Sequence, residues 1–372
     1  MGKYNVPLRL AVLLLCAVVL WHMLGAPRTA AEWQAAPLQL EAAWNQLPTR
    51  AGRVFAQWAL RSGEAVQNTP PVETTDWKQL LNKDNTWPLK VFDVKQNKLL
   101  EIPLEAYVAG VVAGEMPASY HLEALKAQAA AARTRAVQQA AAFSGQGCKN
   151  HPGADICTDS THCQAYLSES EQQEKWGAAA QAYQERIIKA VLDTKGMIIT
   201  YNGEPITVLY HAVSGGRTED VQAVFSQPLP YLKSVESSGE ENNAKFQSVQ
   251  TFSLAEAAKL LNSAFPGANI LADTIALQVS IEERTQTGRA AQMRVGDVTV
   301  PAKDFRAALS LNSTLFTISS NESTITFTEK GYGHGVGMSQ AGANAMAAAG
   351  ATWQNILTHY YTGVQLTALP EK

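Results

Sequence analysis

The chain has 372 residues, of which 46% are hydrophobic and 17% charged, enough to bury a sizeable core and to build more than one lobe. A formal net charge of -3 gives no electrostatic reason to expect nucleic acid as a partner.

The N-terminus places Lys3 and Arg9 before an apolar run from Leu10 to Leu24. It reads as a cleaved signal or an uncleaved membrane anchor, and the run falls somewhat short of the ~20 residues of a perpendicular span. Val6, Pro7 and Leu8 extend the run and Trp21 suits a membrane interface, so the anchor is the preferred reading for residues 1–26. Cys16 follows Leu15, not the small residue that lipid attachment usually needs, and is read as membrane-buried. Either way, the chain beyond about residue 27 is expected to be exported. Residues 27–75 read as a stalk, with loosely helical apolar spacing broken at Pro48.

Folded structure is expected from Asp76. PLKVFDVKQNKLLEIPLEAYV alternates apolar and polar residues around Lys95 to Asn97, which predicts a hairpin leading into a helical turn. VVAGEMPAS follows, then an alanine-rich helix through Phe143 that Ser119 could cap. A polar loop, Ser144 to Gln164, precedes a helix across Ala178 to Thr194 and the strands GMIITYN and PITVLYHAV. SLAEAAKLLNSAF predicts a helix capped by Ser253, followed by strands with a turn at Thr287 to Arg289 and a short helix. The expected architecture is a mixed α/β main domain, discontinuous at residues 76–244 and 324–366. A smaller α+β lobe, residues 245–323, is inserted, and the substrate cleft lies between them.

Glu115 stands alone among Val111, Val112, Met116 and Pro117. Such neighbours desolvate a carboxyl and raise its proton affinity, as a general acid at neutral pH requires. The alternative is a carboxylate at a helix entrance, favoured by the dipole of the helix that follows. Lys126 and Arg133 are seven residues apart on that helix, so nearly on one face. They either face water or line a cleft beside Glu115.

The loop CKNHPGADICTDSTHC offers His151, Cys157, His162 and Cys163, four donors of the kind that tetrahedral zinc prefers, and also Cys148. A disulfide competes with that reading, although three exported cysteines cannot all pair within one chain. GYGHGVGMSQ alternates glycines around His334 but fails the dinucleotide fingerprint, and suggests close backbone approach to a ligand near His334, Ser339 and Gln340. In YHAVSGGRTED, Tyr210 and His211 end a strand and Ser214 to Gly216 form a loop. Ser214 lacks the setting of a nucleophile elbow, which argues against a serine hydrolase.

In order, GEMPASYHLEALKAQAAAARTRA, HPGADICTDSTHCQAY, YHAVSGGRTED and GYGHGVGMSQAGA resemble the stage II sporulation protein D family over about residues 76–365. The resemblance implies a peptidoglycan lytic transglycosylase with Glu115 as the catalytic acid. It also implies zinc at His151, Cys157, His162 and Cys163, with no role for Cys148. Further implications are a single-pass location in the engulfing membrane of a sporulating cell and action beside stage II sporulation proteins P and M. Arg135 stands where the family commonly has an aromatic. A hydrolytic glycosidase generally needs two carboxylates, whereas here the hydroxyl at carbon six of muramic acid can be the nucleophile and one glutamate suffices. The residues expected to hold the sugar are Lys126, Arg133, Tyr210, His211 and His334, with Ser214, Gly216, Ser339 and Gln340 from the two loops.

Overall fold

The computed structural model describes residue 81 and residues 87–225 and 228–370. The expected anchor and stalk lie outside the described residues, and no described helix is long and apolar enough to cross a membrane.

The chain enters through strands β1 (Pro88–Asp93) and β2 (Lys98–Pro103), paired antiparallel in the expected hairpin. Its turn is set by Asp93, whose Oδ1 accepts from the amides of Lys95 and Gln96 at 2.9 and 3.2 Å, and by Asn97 in the left-handed region. Helix α1 (Leu104–Glu115) is apolar on every side and is accordingly buried. Helix α2 (Leu122–Gln139) packs against it, and its buried alanines allow the close approach that larger side chains would prevent.

The start of α2 differs from expectation. His121, not Ser119, is the N-cap and accepts from the Glu123 amide. The α-helix also ends at Gln139 instead of running to Phe143, because the Ala141 amide donates to Asp155 Oδ1 at 2.9 Å and a short 3-10 turn follows. Asp155 Oδ2 accepts from Lys90 N–H on β1, and β3 (Ile156–Cys157) adds to β1 in parallel. The cysteine-bearing loop is therefore stitched into the first sheet.

Helix α3 (Glu169–Trp176) was not expected, although its Ser168/Glu171 capping box is legible in the sequence. Helix α4 (Ala180–Asp193) and strand β4 (Met197–Tyr201) match their predicted places. The PITVLYHAV stretch is strand only at its ends, as β5 (Glu204–Pro205) and β6 (Tyr210–His211). A short helix α5 (Val221–Phe225) follows.

A second hydrophobic core belongs to the later segment. Strand β7 (Gln247–Ser253) leads into α6 (Leu254–Ala264), whose N-cap is Ser253 as expected. After α7 (Ile275–Gln278), β8 (Val279–Arg284), β9 (Ala290–Val295) and β10 (Val298–Pro301) form an antiparallel sheet, covered by α8 (Ala302–Ala308). Strands β11 (Phe316–Ser320) and β12 (Thr324–Lys330) complete the other sheet, in the order β11-β12-β7. Phe305, Phe316 and Phe327 pack with centroids 5.6–6.1 Å apart. β12, assigned from sequence to the returning main segment, thus belongs with the inserted elements, because Ile325 and Phe327 fill their core.

The chain returns through β13 (Met338–Ser339), parallel to β6, then α9 (Gln340–Ala348), α10 (Trp353–Tyr360) and β14 (Gln365–Ala368), which pairs with β4.

Arg133, expected to hold substrate, instead organises the first core. Its side chain is fully buried. It donates to Glu105 from Nε at 2.9 Å and from Nη2 at 2.5 Å, and to the carbonyls of Val191 and Met197 at 3.3 and 3.1 Å. The Gly196 amide completes the carboxylate at 3.1 Å. One guanidinium thereby ties α1, α2, α4 and β4 together. Lys126 is also committed elsewhere, to Glu123 at 2.8 Å and Asp193 at 3.0 Å. Arg133→Ala is expected to destabilise the chain by about 3–5 kcal/mol in urea unfolding, since it strands a buried carboxylate. The paired change Arg133→Met with Glu105→Leu should cost clearly less than the sum of its single changes.

Candidate functional site

Glu115 is the last residue of α1. The sequence suggested the entrance of the next helix, but α2 begins only at Leu122. The dipole felt at a helix C-terminus disfavours an anion, so the local backbone opposes ionisation of Glu115 where the expected position would have favoured it.

The carboxyl is overlaid by the segment 164–167. That segment lies against α1 because Gly110 and Gly114 face it, one turn apart. A Cβ at Gly114 would come within 2.8 Å of the Ala165 carbonyl carbon, and one at Gly110 within 2.2 Å of the Tyr166 ring. The Leu167 amide donates to Gly110 O at 3.0 Å, and the Ala165 amide donates to Glu115 Oε1 at 2.7 Å.

Burial is the largest influence on Glu115 and pushes its pKa above the ordinary carboxyl value. It is opposed by the Ala165 amide, by Tyr210 and Gln340 within hydrogen-bonding reach, and by the charge of Arg135. None of these strongest influences is a second carboxylate.

Gln164 extends this arrangement. Its Oε1 accepts from the Tyr210 hydroxyl at 2.9 Å, and its amide donates to the Tyr107 hydroxyl at 3.2 Å. Gln340 Nε2 lies 3.4 Å from Gln128 Oε1. Arg135 donates to the His162 carbonyl at 2.9 Å, and its buried Nε has no partner among the described residues. Sequence reading named Glu115, Tyr210 and Gln340, but not Tyr107, Gln164 or Ala165. The signal for the last two was the spacing of Gly110 and Gly114 just before the acid.

One residue before Gln164 stands a second cluster. Cys148, Cys157, His162 and Cys163 offer donor atoms all within 4.8 Å of one another. The thiol sulfurs of Cys163, Cys148 and Cys157 lie 3.2, 3.5 and 3.6 Å from His162 Nδ1, and the sulfurs of Cys148 and Cys163 are 4.0 Å apart. Tetrahedral sites with bonds of about 2.0–2.3 Å have donor–donor edges of roughly 3.3–3.8 Å, so the four donors fit a metal ion. All three cysteines are free thiols, and burial pushes the Cys157 and Cys163 thiols up. His151, expected as a ligand, instead stacks on Phe92 with ring centroids 4.0 Å apart. Cys148 takes its place, because its amide bonds to Ala154 O and folds the loop start over the other donors.

The remaining residues divide between structure and a different cavity. Buried Glu240 accepts from the Ser214 amide and hydroxyl, both at 2.9 Å, and from the Gly215 amide. Ser214 is thereby a loop anchor, and Gly216 is a left-handed turn residue whose amide donates to Ser214 Oγ. Ser339 caps α9 by accepting from the Gly342 amide.

Successive side chains of β6 point to opposite sides. Tyr210 meets Gln164 and Glu115, whereas His211 turns to the Val336 carbonyl at 3.0 Å and to His334, with ring centroids 5.6 Å apart. Burial holds His211 well below the ordinary histidine value and His334 at about 4, so both are neutral near pH 7. His334 lines a cavity of 990 Å³ facing β8 and β9, and Glu115 is not among its lining residues. The alternating glycines serve packing: a Cβ at Gly335 would strike the Arg289 guanidinium at 2.6 Å, and one at Gly337 the Leu209 carbonyl at 2.0 Å.

A family model described as stage II sporulation protein matches residues 93–201, the stretch holding Glu115 and the cysteine cluster. Stage II sporulation protein D of Bacillus subtilis (strain 168) is 37% identical over 75% of this chain and 78% of its own length. The chain belongs to the stage II sporulation protein D family. The family's protein from Bacillus amyloliquefaciens is 36% identical over 77% of this chain and 80% of its own. A more distant relative of this family member, named amidase enhancer, from Bacillus subtilis (strain 168), is 29% identical over 70% of this chain and 40% of its own length. A second model, described as a domain of unknown function, matches residues 171–337.

The cluster assignment has a direct check. Elemental analysis of the purified chain should find about one equivalent of metal, lost in Cys148→Ala as fully as in Cys157→Ala and retained in His151→Ala. Loss in His151→Ala with retention in Cys148→Ala would restore the donor set expected from sequence.

Proposed function

We propose that this family member is a membrane-anchored peptidoglycan lytic transglycosylase in which Glu115 acts first as acid and then as base. The observation that carries this reading is a carboxyl at a helix C-terminus whose burial favours the protonated form and whose strongest influences include no second carboxylate. Protonated Glu115 would give its proton to the glycosidic oxygen as the bond to the anomeric carbon breaks. The resulting carboxylate would then take the proton from the hydroxyl at carbon six of the same muramic acid as that oxygen bonds to the anomeric carbon. No water is consumed, and the fragment ends in a 1,6-anhydro sugar. The Ala165 amide and Gln340 would hold the carboxylate between the two steps, joined by Tyr210 when its hydroxyl proton turns from Gln164, and Arg135 would favour its transient charge.

For the cluster, three cysteines and one histidine are a donor set suited to zinc. Four protein donors leave no open position, so zinc there would brace the loop and not activate water. A zinc amidase is accordingly the weaker reading. The apolar N-terminal run would anchor the chain in the engulfing membrane of a sporulating cell, with the folded part outside the cytoplasm. The partners implied by the family resemblance are stage II sporulation proteins P and M, the former supplying strands stripped of stem peptides. A non-catalytic wall-binding role is the second reading, suggested by the name of the amidase enhancer relative.

Mass spectrometry of digested, peptide-free glycan strands separates these readings. Anhydro-ended fragments should form with the wild-type chain and fall by about 10²–10⁴-fold in Glu115→Gln. Undiminished fragments in that variant would reject the mechanism, and their absence from the wild-type digest would favour the wall-binding role. Because the acid must be protonated, the rate should decline as pH rises through the elevated pKa of Glu115. Removing the opposing charge with Arg135→Leu should move that decline to higher pH.

A further inference from the structure

Glu115 is not among the residues lining the cavity of 990 Å³ between the glycine loop and the inserted elements. Six cationic side chains line it; Lys233 is taken up by Asp220, and the other five are Arg217, Arg284, Arg289, Lys303 and Arg306. None of these five forms an ion pair with a carboxylate among the described residues. The acidic groups alongside are mostly occupied. Glu219 accepts from the hydroxyls of Thr285 and Thr287 at 2.6 and 2.5 Å, and Asp220 pairs with Lys233 at 3.0 Å. Glu283 is the one lining carboxylate left without such a partner among the described residues.

Arg289 is the most informative of the five. It is 1% exposed and lies on the bare backbone of Gly335. Its two terminal nitrogens are fixed by Ser313 Oγ at 3.0 Å and the Ser214 carbonyl at 2.5 Å, while Nε has no partner among the described residues. A buried guanidinium N–H without an acceptor is costly, and Arg289 is kept in the cavity wall despite that cost.

The cavity continues into a smaller hollow of 330 Å³ that shares Lys303 and Arg306. Beyond them stands Tyr332, 38% exposed, with Lys245 Nζ 4.4 Å from its ring centroid. Thr314, Gln286 and Gln292 supply neutral hydrogen-bonding groups on the main cavity's wall. Spaced cations, uncharged amides and hydroxyls, and an exposed aromatic ring suit a sugar chain carrying carboxylates, with the ring as a stacking surface.

We propose that this cavity, which Glu115 does not line, is a second site that binds the lactyl carboxylates of a peptidoglycan strand. The identity of the strand rests on the wall-glycan reading above. The site would hold the polymer and would favour strands whose carboxylates are free of stem peptides, since an amide-capped lactyl group has no charge to offer.

Equilibrium binding to the full chain tests this, with two probes: a peptide-free strand oligosaccharide, and a chitin oligosaccharide of equal length that lacks the lactyl group. The carboxylated probe is expected to bind at least about tenfold more tightly at low salt, in wild type and in Glu115→Gln, with the advantage shrinking as salt is added. Lys303→Gln with Arg306→Gln should remove most of that advantage, and the exposed single change Arg217→Gln should reduce it by about threefold without threatening the fold. Equal affinity for the two probes, an advantage that survives in both variants, or tighter binding of inorganic polyphosphate than of the carboxylated strand would each overturn the proposal. Absence of anhydro products would reject the transglycosylase reading alone, because the binding assay does not depend on turnover.

Discussion

The approach of residues 164–167 to helix α1 is the contact on which the site depends. It is possible only because Gly110 and Gly114 present bare backbone on one face of an otherwise apolar helix. The same docking brings the Ala165 amide to Glu115 and sets Gln164 between two tyrosine hydroxyls. The segment emerges directly from Cys163, so its position is fixed at one end by the glycine pair and at the other by the cysteine cluster. Helix end and burial favour a protonated Glu115, and a single amide with a few polar neighbours holds it in place. That balance between proton affinity and orientation is what a group serving as both acid and base requires.

Strand β6 divides the molecule's polar chemistry in two. Tyr210 belongs to the Glu115 side, and the next residue, His211, belongs to the side of His334 and Arg289. Adjacent residues in one short motif therefore serve different places, and the alternation of a strand is the whole cause. The buried histidines are neutral near pH 7, so the positive character of the second side comes from its arginines and Lys303.

Much of this was legible in the sequence where local rules govern. The hairpin at Lys95 to Asn97, the Ser253 cap and the isolation of Glu115 follow from patterns a few residues long. The misplacements arose where long-range contacts decide. Arg133 has the spacing of a cleft-lining residue, and nothing near it in sequence reveals that Glu105 waits across the core. His151 and Cys148 are equally plausible donors by spacing, and only the fold-back of the loop onto Phe92 separates them. The glycines of GYGHGVG signalled close approach, and this chain's own Arg289 and Leu209 lie against two of them.

The pairing of β12 with β7 has a topological meaning. Lys330, where the chain leaves the inserted elements, lies opposite Gln247, where it entered them, and the adjoining Gly331 amide bonds back to Phe246 O. Both crossings therefore run side by side at one end of a single sheet, as in a module spliced into a host whose own core is continuous without it. Yet Arg289 reaches out of that module to the Ser214 carbonyl of the host. Excising the insertion would leave the two chain ends within easy reach of a short turn, while withdrawing the side chain that fills the glycine loop. Sterically, the Arg289 side chain is the plug that gives the glycine loop its shape.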